Sequence, residues 1–319
     1  MKLWYNNLDN CVFRAKGGDF LKKSYFFAAV SILFWSTVAT ITKLLLKGLN
    51  NFQVLWVSSF FAFIFLLVVN IFSGKIKTLK KYTVKDFLVT ILIGLPGTFF
   101  YYIFYYAGTD ILPASQAFII NYMWPIMSVV FACIVLKEKM TLKKGIAVAV
   151  SFLGVGIVNA KDLLSGSTNN GIIIGMISCL LGAVSYGLFT ALNKKFHYDK
   201  MLSMMINYVV TFSVTTVINA ASGNLFLPSG LETLGFAWNG IFTMAIACTT
   251  WVIALDKGNT AKISNLAYIT PFLSLVWTFF ILGDQGLKNP NSLIGLCVIV
   301  AGIFIQLINF KKQDSKEKI

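Results

Sequence analysis

The chain has 319 residues, 57% of them hydrophobic and 12% charged, with a mean hydropathy of +0.76 and a formal net charge of +15. Soluble domains carry about 25% charged residues, so this composition excludes a soluble globular protein and describes an integral membrane protein. The basic excess does not describe a nucleic-acid binder, because the lysines stand between apolar runs instead of forming one patch.

Residues 1–24 are mixed and basic (Lys2, Arg14, Lys16, Lys22, Lys23) and lack the apolar core and cleavage site of a signal peptide. They are expected to form a cytoplasmic tail. Ten apolar runs follow, at 25–46, 52–73, 86–107, 111–136, 142–160, 171–193, 201–222, 234–255, 260–282 and 291–310. Most are near the ~20 residues a helix needs to cross a bilayer. The gaps near 74–85, 161–170 and 223–233 have room only for turns and short loops, and 311–319 reads as a second cytoplasmic tail. With the N-terminus inside, 23 of the 27 Lys and Arg fall on the cytoplasmic side, and only Lys43, Lys47, Lys161 and Lys288 fall outside. Such an asymmetry places both termini in the cytoplasm. Lysine outnumbers arginine 26 to 1, as in an AT-rich bacterial genome, so the expected location is a bacterial cytoplasmic membrane.

The stretch 117–140 is an apolar helix with a polar-aromatic knot of Asn121, Tyr122, Trp124 and Pro125, and a Glu138 just past its end. The pattern returns 146 residues later without a gap: Tyr122 answers to Tyr268, Pro125 to Pro271, Glu138 to Asp284 and Gly156 to Gly302. At an offset of 151, Trp35, Ser36 and Lys43 answer to Tyr186, Gly187 and Lys194. A repeat of this length marks a duplicated unit. Ten helices then divide into two five-helix repeats, 25–160 and 171–310. An odd number of helices per repeat inserts the second upside down, an architecture of transporters with a central cavity between the halves.

No chemistry of catalysis is visible. All twelve acids fall in tails, loops or helix ends, where an intramembrane carboxylate would mark function by default. The one histidine, His197, lies in a basic loop, and Cys133, Cys179, Cys248 and Cys297 lie in apolar runs without metal-ligand spacing. No cofactor or metal is expected, and no enzyme. What sits at depth is neutral and aromatic. Tyr101 and Tyr105, like Tyr102 and Tyr106, are four apart and share helix faces. Tyr101 is the deeper and is expected to face protein or a cavity, whereas Tyr105 and Tyr106 suit headgroup anchoring equally well. Pro96, in Gly94-Leu-Pro-Gly97, loosens the third helix. Pro125 frees the carbonyl of Asn121 and Pro271 that of Ala267, beside Tyr268 and near Ser264. The expected substrate-binding set is Trp35, Tyr101, Asn121, Tyr122, Trp124, Tyr186, Ser264 and Tyr268, with Pro96, Pro125 and Pro271 as hinges. Lys43 and Lys194 read either as carboxylate anchors or, preferably, as snorkelling to the headgroups. Gly154, Gly156, Gly175, Gly182 and Gly302 read as close helix contacts.

Two five-helix repeats, each with a proline in its fourth helix and an acid at that helix's end, resemble the drug/metabolite transporter superfamily, EamA type, over roughly residues 25–310. Phe34-Trp35-Ser36-Thr37, Asn121-Tyr122-Met123-Trp124-Pro125 and the later Trp251, Asn259 and Tyr268-Ile-Thr-Pro271 are similar to its branch of YddG-type aromatic amino-acid exporters. The resemblance implies a basket-shaped bundle whose cavity is lined by Tyr122 and Trp124, with Tyr186 near a position where relatives place a tryptophan. The implied function is export of amino acids, aromatic or large neutral ones first, or related small metabolites, by alternating access. Export of nucleobases, nucleosides or aromatic drugs is the alternative, and a non-transporting scaffold or lipid-handling role the third reading. The partners expected are a small-molecule substrate and the lipid bilayer, with the protein acting as a monomer.

Overall fold

The computed structural model describes residues 17–160, 170–196, 198–257 and 266–307, and among them all regular structure is helical. The helices are α1 (Gly17–Ser36), α2 (Val38–Leu45), α3 (Asn51–Phe72), α4 (Val84–Leu95), α5 (Tyr101–Ile111), α6 (Ala114–Asn121) and α7 (Trp124–Val135). They continue with α8 (Leu142–Val158), α9 (Asn170–Lys195), α10 (Lys200–Ala221), α11 (Gly230–Ala237), α12 (Ala247–Lys257), α13 (Thr270–Leu282) and α14 (Pro290–Leu307). Several are halves of one span. Among the described residues, seven stretches are long and apolar enough to cross a membrane, and Ala267–Leu282 and Pro290–Ile305 are shorter apolar helices. The segment expected at 142–160 is helical as α8, but Lys143 and Lys144 in its first turn shorten its apolar length. The chain is a multi-pass, all-helical membrane protein.

Helix starts follow local chemistry. Asn50, Thr83 and Ser229 each accept from the backbone N–H three residues on, and Gln53, Asp86 and Glu232 reach back to the cap residue's N–H. Such reciprocal caps satisfy amides that a bilayer edge would otherwise strand. Asp199 caps α10 through the amides of Met201 and Leu202.

Equivalent helices of the two halves lie against each other and run antiparallel. At one end of the α3/α10 pair Gln53 donates to the carbonyl of Asn224, and at the other Asn70 donates to Met201 and Lys75 pairs with Asp199. In the α8/α14 pair, Gly154 lies against Gly295 and Ile299, while Ser151 lies against Gly302. The first helix of each half instead packs on the third and fourth helices of the other: α1 on α12 and α13, α9 on α5 and α7. This exchange of partners is what a two-fold relation between the halves produces.

The glycines are not all contacts. A Cβ on Gly154 would meet Ile299 Cγ1 at 2.6 Å and the Gly295 carbonyl at 2.7 Å, so the α8/α14 backbones approach too closely for a side chain. Gly175 and Gly302 have comparably close neighbours, at 2.8 and 2.3 Å, and Gly182 a looser one at 3.3 Å. Gly156, expected among them, has nothing within 4 Å and faces open space. Replacing Gly154 by leucine is therefore expected to cost about 1–3 kcal/mol, seen as a lower thermal unfolding midpoint in detergent, while Gly156→Leu leaves the midpoint unchanged.

Candidate functional site

Five helix interruptions surround the middle of the bundle. The first lies between α1 and α2. There the hydroxyls of Ser36 and Thr37 donate back to the carbonyls of Leu33 and Phe34, and each accepts an indole N–H, from Trp277 and Trp238 respectively. The second is a wide π turn over Pro96–Phe100, which joins α4 to α5. Its counterpart at an offset of 146 is the π segment Trp238–Ile246 between α11 and α12, where no proline stands. The fourth, at Tyr122 and Met123, precedes Pro125 in α7. The fifth is the short 3-10 turn Ala267–Ile269, which precedes Pro271 in α13. The Ala267 carbonyl that Pro271 releases accepts the Tyr122 hydroxyl, so one half's tyrosine stabilises the other half's break.

These interruptions enclose a crevice of two adjoining chambers. The deep chamber, about 50 Å³, is lined by Trp35, Tyr101, Asn121, Tyr122, Trp124 and Tyr186, together with Val38, Tyr102, Phe118, Cys248, Ala267 and Thr270. Among the described residues no charged side chain lines it. The wider chamber, about 270 Å³, shares Trp35, Trp124, Tyr186 and Cys248 and leads past Phe189 and Trp251 to Asn193, Lys194, Tyr198 and Lys200. Among the described residues its lining holds two lysines and no carboxylate. The rings interlock: Trp124 meets Tyr186 edge-on at 5.1 Å, Tyr186 lies 4.9 Å from Tyr101, and Trp35 lies 5.3 Å from Trp251. Asn121 donates to the Tyr101 hydroxyl at 3.0 Å, and its buried carboxamide oxygen and the buried hydroxyl of Thr270 have no protein partner.

The lining is built from equivalent positions. Trp35 and Tyr186 are one pair at offset 151; Tyr102 and Cys248, Asn121 and Ala267, and Trp124 and Thr270 are pairs at offset 146. A chamber walled by both members of several pairs sits on the axis relating the halves. The chemistry across that axis is unequal: the first half supplies amide and large rings, the second smaller groups that leave space.

Six of the eight expected site residues thus share the deep chamber. Tyr268 is buried against the Phe304 ring and is outside the lining, and Ser264 falls outside the described residues. Cys248, Thr270 and Phe189 were not singled out from sequence; the offset of 146 applied to Tyr102 and Trp124 would have found the first two. Tyr105 and Tyr106 are not interfacial. Both are fully buried, and Tyr106 accepts from Asn239, which also bonds Ser58. Lys43 does not snorkel: its ammonium donates to the carbonyls of Thr109, Asp110 and Leu112. Lys194 pairs with Glu138, whose carboxyl is held below the usual carboxylate range by Lys144 and then Lys194.

The EamA-like transporter family profile matches the chain twice, over 22–160 and 173–308. An uncharacterized transporter of Clostridium kluyveri is 25% identical over 307 residues, covering 94% of this chain and 97% of that protein. The aromatic amino acid exporter YddG of Ancylobacter novellus is 24% identical over 66% of this chain and 72% of that protein. The S-adenosylmethionine uptake transporter of Rickettsia bellii is 25% identical over 90% and 94%. A crystal structure at 19% identity shares the fold with a TM-score of 0.64, covering 91% of this chain and 99% of that one.

Removing the Tyr122 hydroxyl leaves the buried Ala267 carbonyl with the Thr270 backbone N–H as its other partner. Tyr122→Phe is expected to lower stability by about 0.5–1.5 kcal/mol, read from thermal unfolding followed by tryptophan fluorescence.

Proposed function

The chain belongs to the EamA-like transporter family, a family of membrane transporters of small metabolites and not of enzymes, and on that footing we propose that it exports amino acids with aromatic or large neutral side chains by alternating access. The observation that carries this reading is the uncharged chamber of Trp35, Tyr101, Tyr122, Trp124 and Tyr186 around Asn121, entered past Lys194 and Lys200. Rings stack on an apolar or aromatic side chain. The free oxygens of Asn121 and Thr270 suit an ammonium, and the lysines at the mouth attract a carboxylate. An amino acid carries all three groups. S-adenosylmethionine, the cargo named for the Rickettsia relative, bears a net positive charge, which is disfavoured beside the two lysines among the described lining residues of the mouth.

The architecture proposed with it is ten spans in two inverted repeats, 25–160 and 171–310, working as a monomer in the bacterial cytoplasmic membrane with both termini inside. The Lys194 end of the crevice then faces the cytoplasm, as the lysine distribution requires, and the cargo enters there. Nucleobases, nucleosides or aromatic drugs are the second reading, favoured by the lack of any charged group in the deep chamber. A scaffold or lipid-handling role would have no use for unpartnered polar groups facing a buried chamber.

Counterflow in proteoliposomes preloaded with unlabelled amino acids tests the cargo. Saturable exchange of labelled phenylalanine, tyrosine, tryptophan or leucine is expected, and Trp124→Ala raises the half-saturation concentration roughly tenfold or more, in line with the ~1.5–3 kcal/mol that burial of a large apolar group contributes. Folded protein that exchanges nucleosides but no amino acid overturns the amino-acid reading.

A further inference from the structure

Lys43 and Lys194 occupy equivalent positions in the two halves, 151 residues apart, yet they are held differently. The Lys43 ammonium has all three protons engaged, on the carbonyls of Thr109 at 2.6 Å, Asp110 at 2.7 Å and Leu112 at 2.9 Å. These are the orphan carbonyls at the C-terminal end of α5, where the helix dipole adds to the attraction. The carboxylates of Asp110 and Asp284 lie close enough to act on the same ammonium. Asp284 in turn accepts from the amide and hydroxyl of Ser115, tying the end of α13 to the start of α6 across the two halves. Lys43, Ser115 and Asp284 line an open cavity of about 450 Å³ at this end, and among the described residues none of the three lines either chamber of the crevice.

At the opposite end Lys194, among the described residues, pairs with Glu138 at 3.3 Å, and its side chain is 69% exposed. Glu138 is shared with Lys144 at 3.0 Å. The helix that corresponds to α5 is α12. It ends at Lys257, and Asp256 stands where the first half has Asp110, at the offset of 146. Among the described residues, Lys194 lines the open mouth and bonds Glu138. Two lysines related by the duplication are therefore held differently: one latched onto a helix C-terminus, the other on a carboxylate at the mouth.

We propose that Lys43 and Lys194 are alternating latches, positioning residues for the transport step, each closing its own end of the crevice by capping the C-terminus of the third helix in its own half. In the alternative conformation Lys43 leaves the carbonyls of residues 109–112, and Lys194 swings from Glu138 onto the C-terminal carbonyls of α12. Because the halves are related by two-fold exchange, each state makes one capped ammonium and frees the other. The two states therefore stay close in energy, and a modest cargo affinity difference shifts them. The proposal rests on the transporter reading of the chain but on no particular cargo.

Cys248 lines both chambers and reports which end is open. In full-length protein with Cys11, Cys133, Cys179 and Cys297 replaced by alanine, a membrane-impermeant maleimide is expected to label Cys248 from the Lys194 face. Lys43→Met is expected to raise the labelling rate from the Lys43 face about tenfold, the factor that loss of one good charge-assisted contact produces. Lys194→Met moves the ratio of the two rates the other way. Lys43→Met/Lys194→Met returns the ratio toward wild type, which a protein merely damaged by the first substitution does not do. Labelling of Lys43→Met that equals wild type from both faces, single substitutions that shift the ratio in the same direction, or a double variant no nearer wild type than its parents overturns the proposal. Because labelling needs no cargo, the latch fails or stands independently of the amino-acid reading.

Discussion

A bilayer offers a backbone no water, so each amide and carbonyl released by a helix break has to find a partner inside the protein. This chain breaks its helices repeatedly at depth and answers the demand locally. Ser36 and Thr37 return to the carbonyls of Leu33 and Phe34, Thr98 to Gly94, Thr243 to Asn239, and Tyr122 to Ala267 in the opposite half. Four of those five bonds are hydroxyls reaching three or four residues back along their own chain. The fifth crosses between halves and couples the breaks at Pro125 and Pro271 mechanically. The crevice exists because these bonds let irregular backbone persist where neither lipid nor open water would tolerate it.

Charge is distributed on the same logic. Among the described residues the ion pairs Lys75–Asp199, Lys144–Glu138 and Lys194–Glu138 all join loops or helix ends, and the deep chamber has none. Depth is polar only through amides and hydroxyls. Buried asparagines bind neighbouring helices: Asn207 donates to Thr90 and Ser203, Asn219 to Phe52 and Thr215, and Asn239 to Ser58 and Tyr106. Side-chain hydrogen bonds of this type hold membrane helices together where there is no hydrophobic drive to associate. A cargo held in such a site is recognised by shape, stacking and neutral hydrogen bonds.

Much of this was legible in the sequence because the duplication is written there at two constant offsets, 151 in the first helices and 146 beyond them. The Tyr–Pro–acid spacing identified both fourth helices, and Pro271 pointed to the Ala267 carbonyl that Tyr122 takes. Six of the candidate residues meet in one chamber for the same reason: the repeat places them on equivalent surfaces. Contacts between different helices were not legible. A lysine at a helix end reads as snorkelling, because nothing in its own segment announces three carbonyls 66 to 69 residues away. Tyr105 and Tyr106 sit near a helix end by count, but α9 and the Asn239 side chain cover them. The π segment Trp238–Ile246 has no proline to signal it, and only its equivalence to Pro96–Phe100 makes it intelligible.

The departures from symmetry say more about specificity than the symmetry does. A duplicated protein with identical halves would carry an axial site of identical walls and could not tell the two ends of its cargo apart. Here each axial pair has diverged in the same sense. Asn121 faces the position of Ala267, Trp124 that of Thr270, and Tyr102 that of Cys248, so bulk and the amide lie on the first half's side. Only the pair of first helices, Trp35 and Tyr186, has kept aromatic character on both sides. A cargo bridging that axis meets stacking rings throughout but an amide on one side alone, which fixes its orientation. The helical frame has kept its two-fold form while the lining of the chamber has lost it; on the proposed reading, the frame needs two interchangeable conformations, and the site needs one preferred pose.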